Sequence, residues 1–516
     1  MQNNWQEQLQ TLLNCDLKSL YPLARSIKRE LHFYVGPTNS GKTYTAMQEL
    51  QKAHCGTYLA PLRLLALEGY ETLQNNDIAA SLITGEEQIF DEEAGHICST
   101  IEMIDFNMDV DVCVIDEVQM LSDIDRGWAW VNAIVGSPAK KVIMTGSVNA
   151  LEAIKKIAKY LDEPLYVEKF KRINDLKVLP RATAMKEIEP YTALIAFSRN
   201  DVLKYKQKLS KFYNVSVLYG NLSPEVRKEE AKRFREGKTN LLIATDAIAM
   251  GLNLPIKTIL FTTDTKFDGI SQRKLMAQEI IQIAGRAGRY GHHEVGYIGA
   301  LNSRKVLAHI TEEFNSPIPT NKPPFGVKAT PFQIEELSNH LKTKSLYKIL
   351  DYFARHMNFT GPFKAANLKG MLQISKILDN TTQMKLEEKF LFSQAPVSIN
   401  APLIRSAFMF YIRSVQNNQN VSYKTSAHIG KVAKSEAELL KAEDEVKKIS
   451  LYLWLSYKFP NHFTDTQQAL ENRVKINQFI EKSLKANIKP KRPTQHHSKE
   501  HHNKRPYRGR NRKFNR

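Results

Sequence analysis

The amino-acid sequence predicts an α/β protein in which two parallel-sheet domains stand in tandem, followed by a mainly α-helical domain and a basic disordered tail. Three observations carry this prediction. From about Leu31 to Leu301, short apolar runs alternate with helical stretches. Such runs, polar only at their ends, suit strands buried on both faces of a parallel sheet. Beyond a proline-rich stretch the periodicity becomes helical, and from Lys489 onward the chain has no Leu, Ile, Val or Met with which to build a core.

Residues 1–30 read as a helical lead-in. Residues 31–175 form the first α/β domain, with strand candidates "LHFYVG", "GTYLAP", "ASLITG", "HICST", "DVCVID" and "KKVIMTG". The polar segment "FKRINDLKVLPRATA" separates these from a second set, "ALIAFS", "VSVLYG", "NLLIATD", "KTILFT" and "VGYIGAL", in residues 176–314. There are too many strands for one ordinary sheet, so the two sets are expected to face each other across a hinge. "NSPIPTNKPPFGVKATP", residues 315–331, holds five prolines and reads as an extended linker. Helical patterns such as "LYKILDYFARHM" and "AELLKAEDEVKKISLYLWLSYKF" fill residues 332–488, and residues 489–516 form the tail.

At 516 residues the chain exceeds a single core. Its net charge of +19 makes a polyanion the default partner, and 11 Lys/Arg against the single acid Glu500 concentrate +10 of that charge in the tail. The four cysteines form no C-x-x-C pair, which fits a reducing compartment. No run reaches the ~18 apolar residues of a membrane span. The first residues contain acids and lack an apolar signal core or an Arg/Ser-rich presequence. A cytoplasmic protein with no membrane partner, favoured as a monomer, is the expectation.

The strongest motif is "GPTNSGKT", comprising Gly36, Pro37, Thr38, Asn39, Ser40, Gly41, Lys42 and Thr43. Its spacing is that of a phosphate-binding loop between a strand ("HFYV") and a helix. The glycines let backbone amides close around phosphate oxygens at a helix N-terminus. Lys42 is expected to reach the β/γ-phosphates of ATP and Thr43 to ligate Mg²⁺. "VCVIDE", 74 positions after Lys42, supplies Asp116 for the metal and Glu117 to orient and deprotonate the attacking water. "QIAGRAGR", far downstream, brings arginines suited to stabilising transition-state charge from across a cleft. That arrangement makes hydrolysis depend on domain closure.

In order along the chain, "YPLARSIKRELHFYVGPTNSGKT", "APLRLLALEGYE", "LITGEE", "STIEM", "VIDEVQMLSDIDRGWAW", "IAFSR", "LYGNLSPEVR", "ATDAIAMGLNLP" and "QIAGRAGR" resemble the motifs of superfamily 2 helicases. In detail they are similar to the ATP-dependent RNA helicase family of the mitochondrial degradosome and its bacterial relatives. The match covers about Tyr21 to Gly291, and "FLFSQAPV" and "LYLWLSYKFPNHF" extend it into the helical region. The resemblance implies that both α/β domains are RecA-like. It implies that Gln282, Arg286 and Arg289 close over the γ-phosphate and that Asn253 lies near the ribose, where relatives often carry Asp. It further implies RNA-backbone contacts from Arg63, Thr84, Gly85, Thr100 and Glu102 in the first domain, and from Ser198, Arg199 and Thr245 in the second. "TGS", Thr145 to Ser147, stands where the superfamily keeps its coupling motif. Gln119, at a position where relatives use His or Asp, is expected to couple the acid strand to Thr145, Ser147 or Gln282.

Contacts to phosphate and sugar carry no base code, so binding is expected to be largely sequence-neutral. The function implied is ATP- and Mg²⁺-dependent movement on single-stranded RNA, 3′→5′, with duplex unwinding in RNA decay or processing, alongside an exoribonuclease. A hairpin between Phe261 and Met276 is a candidate strand separator. The basic tail, with Tyr507 and Phe514, suits an RNA grip. Two alternatives stay open: a DNA or RNA–DNA hybrid helicase, because backbone contacts discriminate the sugar poorly, and an ATP-switched RNA clamp that delivers RNA to a nuclease.

Overall fold

The computed structural model describes residues 10–249, 253–288, 294–381, 383–425 and 430–486. Two parallel sheets dominate it. The first runs in spatial order Gln88–Ile89, Ala80–Ile83, His96–Thr100, Gly56–Ala60, Val110–Ile115, Ala139–Gly146, Glu30–Val35 and Leu165–Lys169. Every neighbouring pair is parallel except Gln88–Ile89 against Ala80–Ile83. The second sheet is wholly parallel, in the order Asp175–Val178, Val295–Ala300, Thr258–Phe261, Thr192–Ile195, Leu241–Ala244 and Val215–Leu218. Its four strands from Thr258–Phe261 to Val215–Leu218 are buried at every residue, as unbroken apolar runs require when helices cover both faces. These are two RecA-like domains, with a helical region after them.

Strand order sets up the chemistry. The strand Ala139–Gly146 lies between the strand that ends in Asp116 and the strand that opens into Gly36. Thr145, near its end, therefore stands between the acid pair and the phosphate loop. The polar segment after Phe170 does more than separate the domains: Asp175–Val178 is the edge strand of the second sheet, with alternating half-exposed positions that hide it from an apolar-run reading.

Residues 315–331 are extended but not free. Asn321 is buried, and Phe325–Val327 pairs in parallel with Phe363–Ala365 and packs on the helix Gly127–Gly136. Prolines remove backbone donors and fix φ, which excludes helix here without preventing docking. Among the described residues seven helices follow, from Pro331–Leu341 to Thr466–Lys485. The last two, Glu436–Lys458 and Thr466–Lys485, pack together and reach both RecA-like domains. The tail from Lys489 lies outside the described residues.

Thr265–Phe267 and Gln272–Lys274 form an antiparallel hairpin with Phe267 and Ile270 exposed near its tip. Its base is held by Glu279, on the helix Ala277–Ala284, which accepts from Arg273 at 2.8 and 2.9 Å and pairs with Lys266 at 2.7 Å. Burial alone would raise the Glu279 pKa; the bonds from Arg273 and Lys266 outweigh it and hold the group from its ordinary 4.5 down to about 2. A lowered acid pKa contributes stability that is complete above the unfolded value and lost as pH falls towards the folded one. Hydrogen exchange of residues 265–274 is therefore expected to quicken as pH falls from 4.5 to about 2, after correction for intrinsic exchange. Glu279→Gln should remove that dependence; protection that stays flat in the unaltered protein would contradict the ion-pair account.

Candidate functional site

The phosphate loop follows directly from the strand Glu30–Val35, and Gly36 N–H donates to the Gly146 carbonyl at 3.0 Å. Gly41 has φ +87°, a left-handed conformation that L side chains rarely adopt, and it lets the helix Lys42–Lys52 start at once. Lys42 Nζ donates to the Pro37 carbonyl at 2.7 Å and lies 3.5 Å from Ser40 Oγ. Burial lowers the Lys42 pKa, against the pull of Glu117 and Asp116.

Asp116 is 3% exposed and surrounded by donors. Tyr58 OH donates to Oδ2 at 3.0 Å, Thr43 Oγ1 to Oδ1 at 3.1 Å, Glu117 N–H to Oδ1 at 3.1 Å, and the Thr145 hydroxyl also donates to Oδ1. Burial, then the neighbouring Glu117 carboxylate, raises its pKa. Thr43 and Asp116 thus put hard oxygen atoms side by side in a site where burial penalises negative charge. That donor set fits a small divalent cation. Glu117 has φ 55°, a strained setting for a non-glycine residue at a strand end. Gln119 Nε2 donates to the Glu117 carboxylate, and Gln119 Oε1 accepts from Ser147 N–H at 3.1 Å.

The second domain meets this site directly. Gly285 lies so close to Thr38 that an added Cβ would stand 2.7 Å from the threonine Cβ. Asn39 Nδ2 donates to the Gly288 carbonyl at 2.8 Å. Arg286 Nε donates to the Ala249 carbonyl at 2.9 Å; burial lowers the Arg286 pKa, opposed by attraction to Glu117 and Asp116. Gln282 is half-buried on the helix Ala277–Ala284, and Asn253 is exposed. Arg289 lies outside the described residues.

Arg172 was missed in the sequence. Its guanidinium donates to Thr38 O at 2.9 Å, Gly285 O at 3.1 Å, Asn174 O at 2.8 Å and Ala287 O. It therefore ties the phosphate loop, the interdomain segment and the arginine loop together. The one available signal was an arginine in the segment joining the two strand sets.

The residues expected at nucleic acid divide into two groups. Ser198, Arg199 and Thr245 line one groove of about 430 Å³ with Tyr219, Asn221 and Arg227. Ser198 also caps the helix Arg199–Leu209 through Asp201 N–H, and the Thr245 hydroxyl accepts from Ala247 N–H. In the first domain the polar groups are turned inward. Thr84 is fully buried and its hydroxyl closes the Glu86–Glu87 turn, while Gly85 faces the Trp454 indole. Thr100 is half-buried at a strand end, and Glu102 pairs with Arg126 at 2.7 Å. Arg63 binds Glu86, Glu87 and Glu225, and Arg473 lies within 3.7–3.9 Å of the same three carboxylates. Arg199 likewise donates to Glu443 of the C-terminal helices at 2.7–3.1 Å.

Phosphate loop, acid pair and arginine loop, meeting between two parallel sheets, make this the core of a superfamily 2 helicase. Comparison with known proteins narrows the class. The DEXQ-box helicase domain of Suv3 matches residues 18–170, the helicase conserved C-terminal domain residues 169–291, the Suv3 C-terminal domain 1 residues 373–415, and the ATP-dependent RNA helicase SUV3 C-terminal domain residues 439–486. The mitochondrial DExH-box ATP-dependent RNA helicase DExH16 of Arabidopsis thaliana is 33% identical over 477 residues, 90% of this chain and 83% of that protein. The mitochondrial ATP-dependent RNA helicase SUV3 of Saccharomyces paradoxus is 34% identical over 476 residues, 86% of this chain and 63% of that protein. The chain belongs to the Suv3 helicase family.

The chain spans 60–64% of the length of the SUV3 proteins of two Saccharomyces species and of a second Arabidopsis relative, DExH18. These relatives are mitochondrial by name, which overturns the expectation of a cytoplasmic protein. Free cysteines and a lack of long apolar runs report on redox state and membrane spans, and many compartments share both.

Glu443 is fully buried and also accepts from Tyr219 OH at 2.7 Å. Removing one partner of a buried ion pair leaves the other charge uncompensated, at a cost of about 3–5 kcal/mol. Glu443→Ala should lower stability by about that amount in denaturant unfolding. A loss below about 1 kcal/mol, typical of an exposed pair, would contradict the burial of this contact.

Proposed function

We propose that the chain hydrolyses ATP with Mg²⁺ and uses the cycle to move 3′→5′ along single-stranded RNA and open duplexes in RNA decay or processing. One observation carries this reading above the others: the phosphate loop and the arginine loop touch, through Thr38 with Gly285 and Asn39 with Gly288. Residues that bind and residues that stabilise transition-state charge then come from different domains, so turnover depends on the domain arrangement.

Lys42 supplies positive charge for the β/γ-phosphates, and backbone amides of residues 38–43 face them from the helix start. Thr43 and Asp116 would hold Mg²⁺, which when bound neutralises charge developing on the phosphate oxygens. Glu117 accepts the proton of the attacking water, with its carboxylate oriented by Gln119 Nε2. Arg286 is half-buried in the field of both acids, where a guanidinium can meet charge on the γ-phosphate. Gln282 and Arg289 complete the arginine side of the reading, and Asn253 the ribose side.

For RNA, support comes from the second-domain groove, whose hydroxyls and guanidinium groups recognise phosphate and sugar. Arg63, Thr84, Gly85, Thr100 and Glu102 belong to the same path on the first domain, once the ion cluster at Arg63 is exchanged for phosphate. The exposed Phe267 and Ile270 give the hairpin an apolar tip suited to wedging between bases. Delivery of the unwound strand to an exoribonuclease, by a protein acting as a monomer, completes the reading.

The test is strand displacement and ATPase stimulation with matched RNA, DNA and hybrid duplexes bearing 3′ or 5′ overhangs. The expected outcome is ATP-dependent displacement of 3′-tailed RNA, abolished by Glu117→Gln with ATP binding retained. Equal displacement of DNA would favour the hybrid-helicase reading, and no displacement of any tailed duplex would favour the clamp.

A further inference from the structure

A second set of hydrogen bonds leaves the acid pair away from the arginine loop. Gln119 Nε2 donates to Glu117, and Gln119 Oε1 accepts from Ser147 N–H at 3.1 Å. The Ser147 hydroxyl donates to Asn149 Oδ1, and Asn149 Nδ2 donates to Asn321 Oδ1 at 3.0 Å. Asn321 closes the circuit: its Nδ2 donates to the Gln119 carbonyl at 2.8 Å and its backbone N–H to the Asn149 carbonyl at 2.9 Å. Asn149 is 2% and Asn321 8% exposed, so little water can replace these bonds. Four residues beyond Asn321 the chain becomes the strand Phe325–Val327, packed on the helix Gly127–Gly136. Trp130 of that helix donates to the Asp116 carbonyl at 2.9 Å.

We propose that Asn321 is a positioning residue for ATP hydrolysis: it fixes the Gln119 turn, and through it the Glu117 carboxylate, and so links turnover to the seating of the C-terminal helical region. A carboxamide donates and accepts at once from a planar group, which this double contact requires. The proposal rests on the ATP-site reading above. It goes beyond that reading by adding a residue from outside both RecA-like domains.

Asn321→Ala and Asn321→Asp separate donor chemistry from packing. Aspartate keeps the size and the acceptor for Asn149 but turns a second acceptor towards the Gln119 carbonyl. Both variants should lower kcat for ATP about tenfold, the effect of a buried hydrogen bond lost with one partner left unsatisfied, while KM for ATP stays within about twofold. In the nucleotide-free protein, hydrogen exchange of residues 117–122 should accelerate by a similar factor, with the strand Glu30–Val35 unchanged. Wild-type kcat and exchange in Asn321→Asp would overturn the proposal and leave a space-filling role. Should both variants loosen Glu30–Val35 as well, Asn149→Ala decides: faster exchange at residues 117–122 alone supports the relay, and no change there overturns it. If the unaltered protein has no ATPase activity, the ATP-site reading fails, while the exchange comparison still decides the hydrogen-bond relay.

Discussion

The Arg172 guanidinium is the contact on which the rest of the arrangement depends. It sits where the two matched helicase domains meet and donates to carbonyls of the phosphate loop, the interdomain segment and the arginine loop. Hydrogen bonds from a charged donor contribute about 1.5–3 kcal/mol each, and a planar guanidinium fixes direction as well as distance. Burial lowers the Arg172 pKa, so the fold accepts an electrostatic cost to keep the cation there. The consequence is spatial: Thr38 and Gly285 come into contact, and residues of two domains share one site.

The C-terminal helices add a second set of constraints on the same pair of domains. Glu443 engages Arg199 of the second domain, Ser450 donates to Glu86 of the first at 2.6 Å, and Arg473 lies among carboxylates of both. Buried ion pairs of this kind are weak evidence for net stability, because desolvation offsets much of the attraction. Their effect is to select one arrangement, since each charge is costly when its partner leaves.

Much of the candidate site was legible in the sequence because its constraints are local. Gly41 must take a positive φ next to a helix start, and Asp116 must close an apolar strand, so both leave short patterns. The sheets were legible for the same reason, apart from the half-exposed edge strand Asp175–Val178. Contacts between distant segments left no pattern. Arg199 meets a carboxylate 244 positions away, and Arg63 meets one 162 positions away. Both residues stand in recognisable motifs, but nothing in those motifs points to their carboxylate partners. Arg172 and Asn321 were hidden differently, in stretches whose polarity and prolines spoke for a connector. Composition disfavours helix there but says nothing about short strands or burial.

The central claim is that turnover requires the two RecA-like domains to be joined at the phosphate loop. Steady-state ATPase kinetics of Arg172→Ala, with ATP affinity measured separately by equilibrium binding, tests it most directly. The account predicts that kcat falls about a hundredfold, one or two charged hydrogen bonds' worth, while the dissociation constant for ATP moves less than about threefold. An unchanged kcat, or a loss confined to ATP affinity, would contradict it.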